Sequence, residues 1–197
     1  MSPPLPSKRP HFTHPRITTF PPFYTLQPNP LTRLEQLRKW SRLIQRYTRH
    51  HSLYKLSLPS ALDSPLFVNQ SLKKRLGAQD AKEVVEWMCS PEGGRRAEWI
   101  GGGEGRDRDG GGEAGGQVWV FWKRPEEWGD LVLGWVEETG QKGTVLTLYE
   151  ILEGEGTIGE EFHGMDSELF RRALSTLVKR GKAQVFGSED QQGVKFF

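Results

Sequence analysis

The chain has 197 residues, 35% of them hydrophobic and 11% aromatic, which is enough for one medium domain or two small ones with packed cores. Its formal net charge is +2, its single cysteine is Cys89, and no stretch approaches the roughly 18 apolar residues of a membrane span. This composition excludes a disulfide framework and a transmembrane protein, and we expect a soluble protein of a reducing compartment such as the cytoplasm.

A segment rich in proline and aromatic residues precedes the first long helix. Residues 20–30 read FPPFYTLQPNP, and each proline disfavours helix in the residue before it, so we expect an extended, polyproline-like arm after a disordered tail, residues 1–19. Such an arm has no core of its own for Phe20, Phe23 and Tyr24. The sequence therefore predicts that these rings dock into pockets on another protein.

Two alternatives to this docking arm stay open. A proline-rich arm before a helix can instead fold back on its own domain. In addition, residues 21–24 spell the PPxY pattern of WW-domain ligands, in which prolines occupy a groove lined by aromatic side chains. A Tyr24→Phe substitution separates a WW ligand, which depends on the tyrosine, from a hydrophobic pocket that accepts phenylalanine.

The first helix is predicted from its cap and its apolar period. Asn29 can cap a helix that begins at Pro30, and apolar residues then recur at spacings of three and four as far as about His50. Residues 1–51 hold nine basic residues and one acidic residue, whereas the rest of the chain holds 18 basic and 24 acidic residues. Four arginines share one face of this helix: Arg38, Arg42, Arg46 and Arg49. A solvated face explains them most simply, and an acidic protein, a phospholipid or a nucleic acid are the alternatives.

The rest of the first half is predicted to contain five further elements. In the order strand, helix, helix, strand, strand, they cover residues 53–58, 67–76, 79–88, 97–100 and 118–122. Between the last two strands, nine of the sixteen residues 101–116 are glycine and most of the others are charged. Such a segment buries too little apolar surface to fold by itself, so we expect a flexible insertion in a hairpin.

The same order of elements repeats in the second half. Pro125 opens a helix that Gly140 ends, and Asp166 caps a strong helix. The other elements are a strand, a short helix and a closing hairpin, at residues 144–148, 149–152, 183–186 and 194–197. This order is typical of winged-helix domains. The sequence therefore predicts an α+β fold: two tandem winged-helix domains, residues 31–123 and 124–197, behind an extended proline-rich arm, residues 20–30.

Winged-helix domains often bind DNA through their third helix, but the charge of this chain disfavours that function. The third helix of the first half carries Asp80, Glu83 and Glu86 against Lys82, a negative surface that phosphates would repel. The corresponding helix of the second half is only mildly basic. A winged-helix nucleic-acid binder stays an alternative, and we expect no nucleic acid as partner.

The sequence shows no arrangement typical of a catalytic or metal site. His50 and His51 are adjacent at a helix end and point in different directions, and one cysteine cannot supply a zinc site. His163 follows two glutamates in EEFHG, a possible acid-base pairing that a polar loop explains equally well. Phosphate-loop, Rossmann and nucleophile-elbow signatures do not occur. We therefore expect no enzyme, no cofactor and no bound metal.

Short motifs spread from the arm to the last residue carry a family resemblance. They are PPFYTLQPN, SPLF, RPEEWG, TLYE, EFHG and GVKFF, at residues 21–29, 64–67, 124–129, 147–150, 161–164 and 193–197. In these motifs the chain resembles the Vps25 family, the small subunit present in two copies in the ESCRT-II endosomal sorting complex. The tail before Phe20 and the insertion at residues 101–116 depart from the family, and we assign neither a family function.

The resemblance implies a non-enzymatic scaffold made of two winged-helix domains. In the family, a proline-aromatic arm inserts into pockets on the two larger ESCRT-II subunits. The matching positions here are Pro21, Pro22, Phe23, Tyr24 and Leu26. The second domain recruits and activates the first ESCRT-III subunit during sorting of ubiquitinated cargo into multivesicular bodies. We expect that contact around the first helix and closing hairpin of the second domain, at Glu126, Glu127, Lys195 and Phe197.

The resemblance also implies a location and a set of contacts for the chain. It places the protein in the cytoplasm, recruited peripherally to endosomes, with only indirect contact to the endosomal membrane. Self-association of the isolated chain stays open.

Overall fold

Two units of the same topology follow one another along the chain. The computed structural model describes residues 11–101, 116–187 and 192–197. The first domain contains α1 (Pro30–His51), β1 (Lys55–Ser57), α2 (Leu58–Ala61), β2 (Val68–Asn69), β3 (Lys74–Arg75), α3 (Ala78–Cys89), β4 (Ala97–Trp99) and β5 (Gln117–Val120). The second contains α4 (Pro125–Glu138), β6 (Val145–Thr147), α5 (Leu148–Glu153), α6 (Ser167–Lys179), β7 (Ala183–Phe186) and β8 (Gly193–Phe196).

The two main sheets have matching strand orders. The first runs β1-β5-β4 and the second β6-β8-β7, both antiparallel, so in each domain the early strand pairs with the last strand of the closing hairpin. The predicted α+β class with tandem winged-helix domains is confirmed. Most of the predicted insertion, residues 102–115, lies outside the described residues, as do the hairpin tip, residues 188–191, and residues 1–10.

The predicted helix starts are confirmed by their hydrogen bonds. The Asn29 side chain accepts from the backbone N–H groups of Leu31 and Thr32, both at 3.1 Å, and the Asp166 side chain caps α6 in the same way. Each cap satisfies N–H groups that the first turn of a helix leaves without partners. Among the described residues, no helix has the length and apolar character that crossing a bilayer requires.

The predicted helix at residues 67–76 is wrong, because this segment is the small hairpin β2–β3. Two side chains divert the backbone from a helical path. The Ser64 hydroxyl donates to Ala61 O at 2.7 Å, and Asn69 Oδ1 accepts from Leu72 N at 3.0 Å. Such local bonds compete with helix formation. The short helix between the first strand and α3 is instead α2, which follows β1 directly.

The central strand of the first sheet, β5, is buried on both faces at Val118, Trp119 and Val120. On β5, Val118 and Val120 point into the core of the first domain, whereas Trp119 and the following Phe121 belong to the core of the second. Side chains alternate between the faces of a strand, so one strand serves both cores. Helix α6 packs on the second face, where Lys55 pairs with Glu168 at 3.0 Å and Arg172 pairs with Glu98 at 2.8 Å.

Candidate partner-docking sites

The arm is folded onto the first domain and is not extended, which corrects the prediction from the sequence. Residues Pro21–Tyr24 form a 3-10 helical turn, and Phe23 is only 1% exposed. Its ring stacks on that of Trp40, with 4.3 Å between centroids and 7° between planes. Tyr24 and Leu26 are buried in the same core. The first domain itself therefore supplies the pocket that we expected on another protein.

A buried glutamine holds the backbone of the arm in this shape. Gln36 Nε2 donates to Pro22 O and Thr25 O, both at 3.0 Å, and Gln36 Oε1 accepts from Gln27 N at 2.8 Å. One turn later along α1, Trp40 Nε1 donates to Phe23 O at 3.1 Å. Sequence reasoning missed this pair, although a glutamine on the apolar face of a helix does signal a hydrogen-bonded partner.

Helix α3 binds both the arm and the start of α1. Leu26 N donates to Asp80 Oδ2 at 3.1 Å, and the Arg33 guanidinium forms a two-pronged ion pair with Glu83. Two of the acidic residues that disfavoured DNA binding therefore bind groups of their own chain.

The position of Tyr24 disfavours a WW-domain ligand. Its hydroxyl donates to Thr18 O at 3.1 Å, and Asn69 Nδ2 donates to the same oxygen at 2.9 Å. Burial raises the pKa of Tyr24 above its ordinary value, which the hydrogen bond with Asn69 only partly offsets. A WW domain binds its ligand as an accessible polyproline II segment, whereas here Pro21–Tyr24 form a 3-10 turn and Tyr24 is buried.

Residues 11–19, predicted as part of a disordered tail, also pack on the first domain. Arg16–Thr19 form a 3-10 turn in which Thr18 is buried. The Phe12 ring lies 5.2 Å from that of Tyr47 and 5.4 Å from that of His50, at the C-terminal end of α1. These aromatic contacts order a segment whose composition alone indicates disorder.

What the arm leaves exposed is a short ridge. Phe20 is 55% exposed, and Pro21 and Pro22 are also on the surface. We call these three residues the proline ridge. Of the five predicted docking residues of the arm, Pro21 and Pro22 are therefore accessible, whereas Phe23, Tyr24 and Leu26 lie beneath them in the core.

The two glutamates predicted to contact a partner on the second domain differ in environment. Glu126 is exposed. Glu127 binds Arg96 Nη1 at 2.7 Å and Arg124 N at 2.6 Å, and so links the start of α4 to the first domain. Burial alone would raise the pKa of Glu127, but the hydrogen bonds and charges of Arg96 and Arg124 hold it below its ordinary value. The structure gives Glu127 an intramolecular contact.

Lys195 and Phe197 lie on the outer face of the second sheet with two exposed apolar residues. Val145 and Gln184 are the cross-strand neighbours of Lys195 on either side, and Phe186 is two residues beyond Gln184 on the same face. We call this set the wing face: Val145, Gln184, Phe186, Lys195 and Phe197. Sequence reasoning missed Val145 and Phe186, although an apolar residue at the polar position of an alternating strand is a usable signal.

The wing face corresponds in register to a surface that is covered in the first domain. There, the row Lys55, Trp119 and Glu98 lies under α6. In the second sheet the matching row is Val145, Lys195 and Gln184, and Val145 is 55% exposed. The centre of this face, Trp119, is thus buried in the first domain, whereas its counterpart in the second domain, Lys195, is half-buried beside the exposed Val145.

The residues considered for chemistry have separate partners. Glu161 pairs with Lys123 and with Arg49, whereas His163 Nδ1 lies 2.8 Å from Thr157 Oγ1. Burial raises the pKa of Cys89 to about 11, which leaves its thiol protonated and unreactive. Within the described residues, no three His, Cys, Asp or Glu side chains are placed to hold a metal ion.

Comparison with known proteins identifies the family. The family model described as ESCRT-II complex subunit matches residues 17–166. The chain is 37% identical to vacuolar protein-sorting-associated protein 25 of Xenopus laevis over 186 residues, which are 94% of this chain and 99% of that protein. It is 38% identical to the Homo sapiens protein of the same name, over 90% of this chain and 93% of that one.

Solved structures agree with the sequence comparison. The crystal structure of subunit VPS25 of the endosomal trafficking complex ESCRT-II has a TM-score of 0.75 and 28% identity, and covers 93% of this chain and 98% of that chain. The VPS22/VPS25/VPS36 complex has a TM-score of 0.73 and 26% identity over 92% of this chain and 98% of the matched chain. The chain therefore belongs to the Vps25 family of ESCRT-II complex subunits.

Proposed function

We propose that this chain is a non-enzymatic scaffold subunit of an ESCRT-II complex, acting in the sorting of ubiquitinated cargo into multivesicular bodies. It docks through the proline ridge and the first domain onto two larger subunits, the counterparts of VPS22 and VPS36 in the solved complex that it resembles. Family membership supports its place in such a complex. The observation that supports docking through the arm is that the proline ridge is exposed and rigid.

The ridge is suited to docking because it is both exposed and fixed. Gln36 donates to Pro22 O within the ridge, and three further hydrogen bonds of Gln36 and Trp40 fix the arm backbone that directly follows the ridge. A rigid apolar segment loses little conformational entropy when a partner binds it. In this proposal Pro21 and Pro22 contact the partner together with Phe20, and the buried Phe23, Tyr24 and Leu26 hold the ridge in position.

We expect the double variant Phe20→Ala/Pro22→Ala to bind the two larger subunits at least about 10-fold more weakly, close to 1.4 kcal/mol. Its melting temperature should stay near that of the unchanged protein, because both side chains are on the surface. Isothermal titration calorimetry with the purified pair of larger subunits measures the affinity. Pro91→Ala, an exposed proline far from the arm in sequence, is the matched control. Undiminished binding by the double variant would refute docking through the ridge.

We propose further that the second domain recruits the first ESCRT-III subunit through the wing face. The support is the correspondence of the two sheets, because the first sheet receives a helix, α6, on the face that the second leaves exposed. On the first sheet, Lys55 meets the α6 acid Glu168. In the same way, a partner helix could place apolar residues against Val145 and Phe197 and a carboxylate beside Lys195. Glu126 stays a candidate rim contact of this surface.

The variant Val145→Ser/Phe197→Ser should reduce binding of the purified first ESCRT-III subunit by about 10-fold or more, since both lost apolar contacts would be central to the interface. Fluorescence anisotropy with the labelled subunit measures the loss. The control is Tyr149→Ser/Ile158→Ser, which removes two residues of similar exposure from the same domain but outside the sheet. Equal losses in the two variants, or no loss in either, would exclude the wing face as the binding surface.

A further inference from the structure

The exposed side of α1 carries a row of cations that neither the arm nor the cores use. Lys39, Arg42 and Arg46 are exposed, at spacings of three and four residues, and Arg38 and Arg49 flank them on the same side. We call these five residues the α1 stripe. At a rise of about 1.5 Å per residue, the stripe runs for about 16 Å along the helix.

The central charges of the stripe are uncompensated. Arg38 pairs with Glu35 at 2.6 Å and Arg49 with Glu161 at 3.0 Å, but Lys39, Arg42 and Arg46 have no ion pair within the described residues. Like charges four residues apart, such as Arg42 and Arg46, weaken a helix slightly. The three central charges of the stripe therefore do not stabilise α1 through ion pairs. A helix face that is only solvated usually mixes charges of both signs.

The stripe and the arm occupy different sides of α1. The side of α1 that faces the arm and the core carries Gln36, Trp40 and Ile44. The stripe residues lie between these positions in sequence and on the opposite side of the helix. A partner on the stripe therefore leaves the proline ridge and its supporting residues in place. The two surfaces can be occupied at the same time.

The composition of the stripe favours an anionic layer over a shaped protein surface. Centres of protein interfaces are rich in aromatic residues and poor in lysine, and single-stranded nucleic acids are bound by grooves with aromatic stacking platforms. The exposed aromatic residues of the described chain are Phe20, Tyr149, Phe186 and Phe197, and none lies on α1. Clusters of four to eight basic residues on a helix are typical of contact with anionic lipid headgroups.

We propose that the α1 stripe binds the phosphate and carboxylate groups of an anionic membrane surface directly. The proposal deepens the proposed function, and rests on it only for the identity of the membrane, since an ESCRT-II subunit acts at endosomes. The contact is electrostatic and shallow, with the guanidinium and ammonium groups at the headgroup layer. It differs from the expectation that this chain meets the membrane only through its partners.

The test is co-sedimentation of the full chain with phosphatidylcholine vesicles that contain about 30% phosphatidylserine. Each basic residue at such a surface strengthens binding about fivefold, so Lys39→Gln/Arg42→Gln/Arg46→Gln should bind about 100-fold more weakly. The affinity of the unchanged chain should fall steeply with added salt and vanish on pure phosphatidylcholine. Lys74→Gln/Lys179→Gln/Lys182→Gln removes the same charge from exposed lysines elsewhere and should bind as the unchanged chain does.

Four results would overturn the proposal. The first two are absence of binding to the acidic vesicles and equal losses of vesicle affinity in the two triple variants. The third is tighter binding of duplex DNA than of vesicles at the same salt. The fourth is a stripe variant that loses affinity for the larger ESCRT-II subunits but none for the vesicles. The last two results would assign the stripe to a nucleic acid or to an acidic protein. The proposed function is tested separately, because the Phe20→Ala/Pro22→Ala variant keeps the whole stripe.

Discussion

Replacing Phe23 by alanine should lower the free energy of unfolding by about 3–5 kcal/mol. The ring is 1% exposed and stacks on Trp40, so its removal leaves a cavity between the arm and α1. The cavity also loosens the turn that presents Pro21 and Pro22, and docking to the larger subunits should weaken as a second consequence. Urea unfolding followed by tryptophan fluorescence measures the first effect, because Trp40 lies at the site.

Phe20→Ala is the matched control, since the same side chain is removed three residues earlier. Phe20 is 55% exposed, and its loss should change the free energy of unfolding by less than about 0.5 kcal/mol. The two variants thus distinguish Phe23, which positions the ridge, from Phe20, which contacts the partner. If Phe23→Ala kept full stability but abolished docking, the ring would be free in solution, and the extended arm predicted from the sequence would be right.

The sequence predicts elements well where the signal is local. Asn29 and Asp166 lie next to the helices that they cap, and the apolar spacing of α1 persists from Leu31 to Tyr47, about four turns, so the starts and the buried faces of these helices are predictable from the sequence. The repeated order of elements then indicated the tandem fold. The cap and spacing signals each depend on residues within about one helical turn of one another.

The fate of the arm could not be predicted because its contacts are distant in sequence. Trp40 is 17 residues from Phe23, and Asp80 is 54 residues from Leu26. Proline chemistry fixes φ, but it does not decide whether a pocket for the rings lies in the same domain. That depends on how α1 and α3 pack together.

The sharing of β5 between two cores was visible in the sequence but was not used. Residues 118–122 read VWVFW, without the polar alternation of a strand that has one face in water. A continuous apolar run in a short strand indicates burial on both faces. In the first sheet, Trp119 takes the face that an isolated winged-helix domain would leave to solvent.

Trp119→Ala should lower the free energy of unfolding by about 3–5 kcal/mol and separate the unfolding of the two domains. Trp119 is fully buried, and its ring lies 4.3 Å from Lys55 Nζ and 5.1 Å from the guanidinium carbon of Arg172. Arg172 lies on α6, so its cation–π contact adds about 0.5–1 kcal/mol to the association of α6 with the first sheet, whereas Lys55 belongs to that sheet itself. Without the indole, the first sheet is held to the second domain by Tyr54 and Phe121, which lie in the second core near the ends of their strands, and by partly exposed ion pairs, which stabilise little.

Differential scanning calorimetry distinguishes coupled from independent domains, with one transition expected for the unchanged chain and two for Trp119→Ala. Trp99→Ala is the matched control, because Trp99 lies on the neighbouring strand and packs against the first core instead. Trp99→Ala should lower the free energy of unfolding by less than Trp119→Ala does. It should also leave a single transition, since the contact between the first sheet and α6 is intact. A single transition in Trp119→Ala, with a loss below about 1 kcal/mol, would mean that Trp119 does not couple the domains. The contacts of Tyr54 and Phe121 with the second core, together with the ion pairs of Arg96 with Glu127 and Lys55 with Glu168, would then have to account for their association.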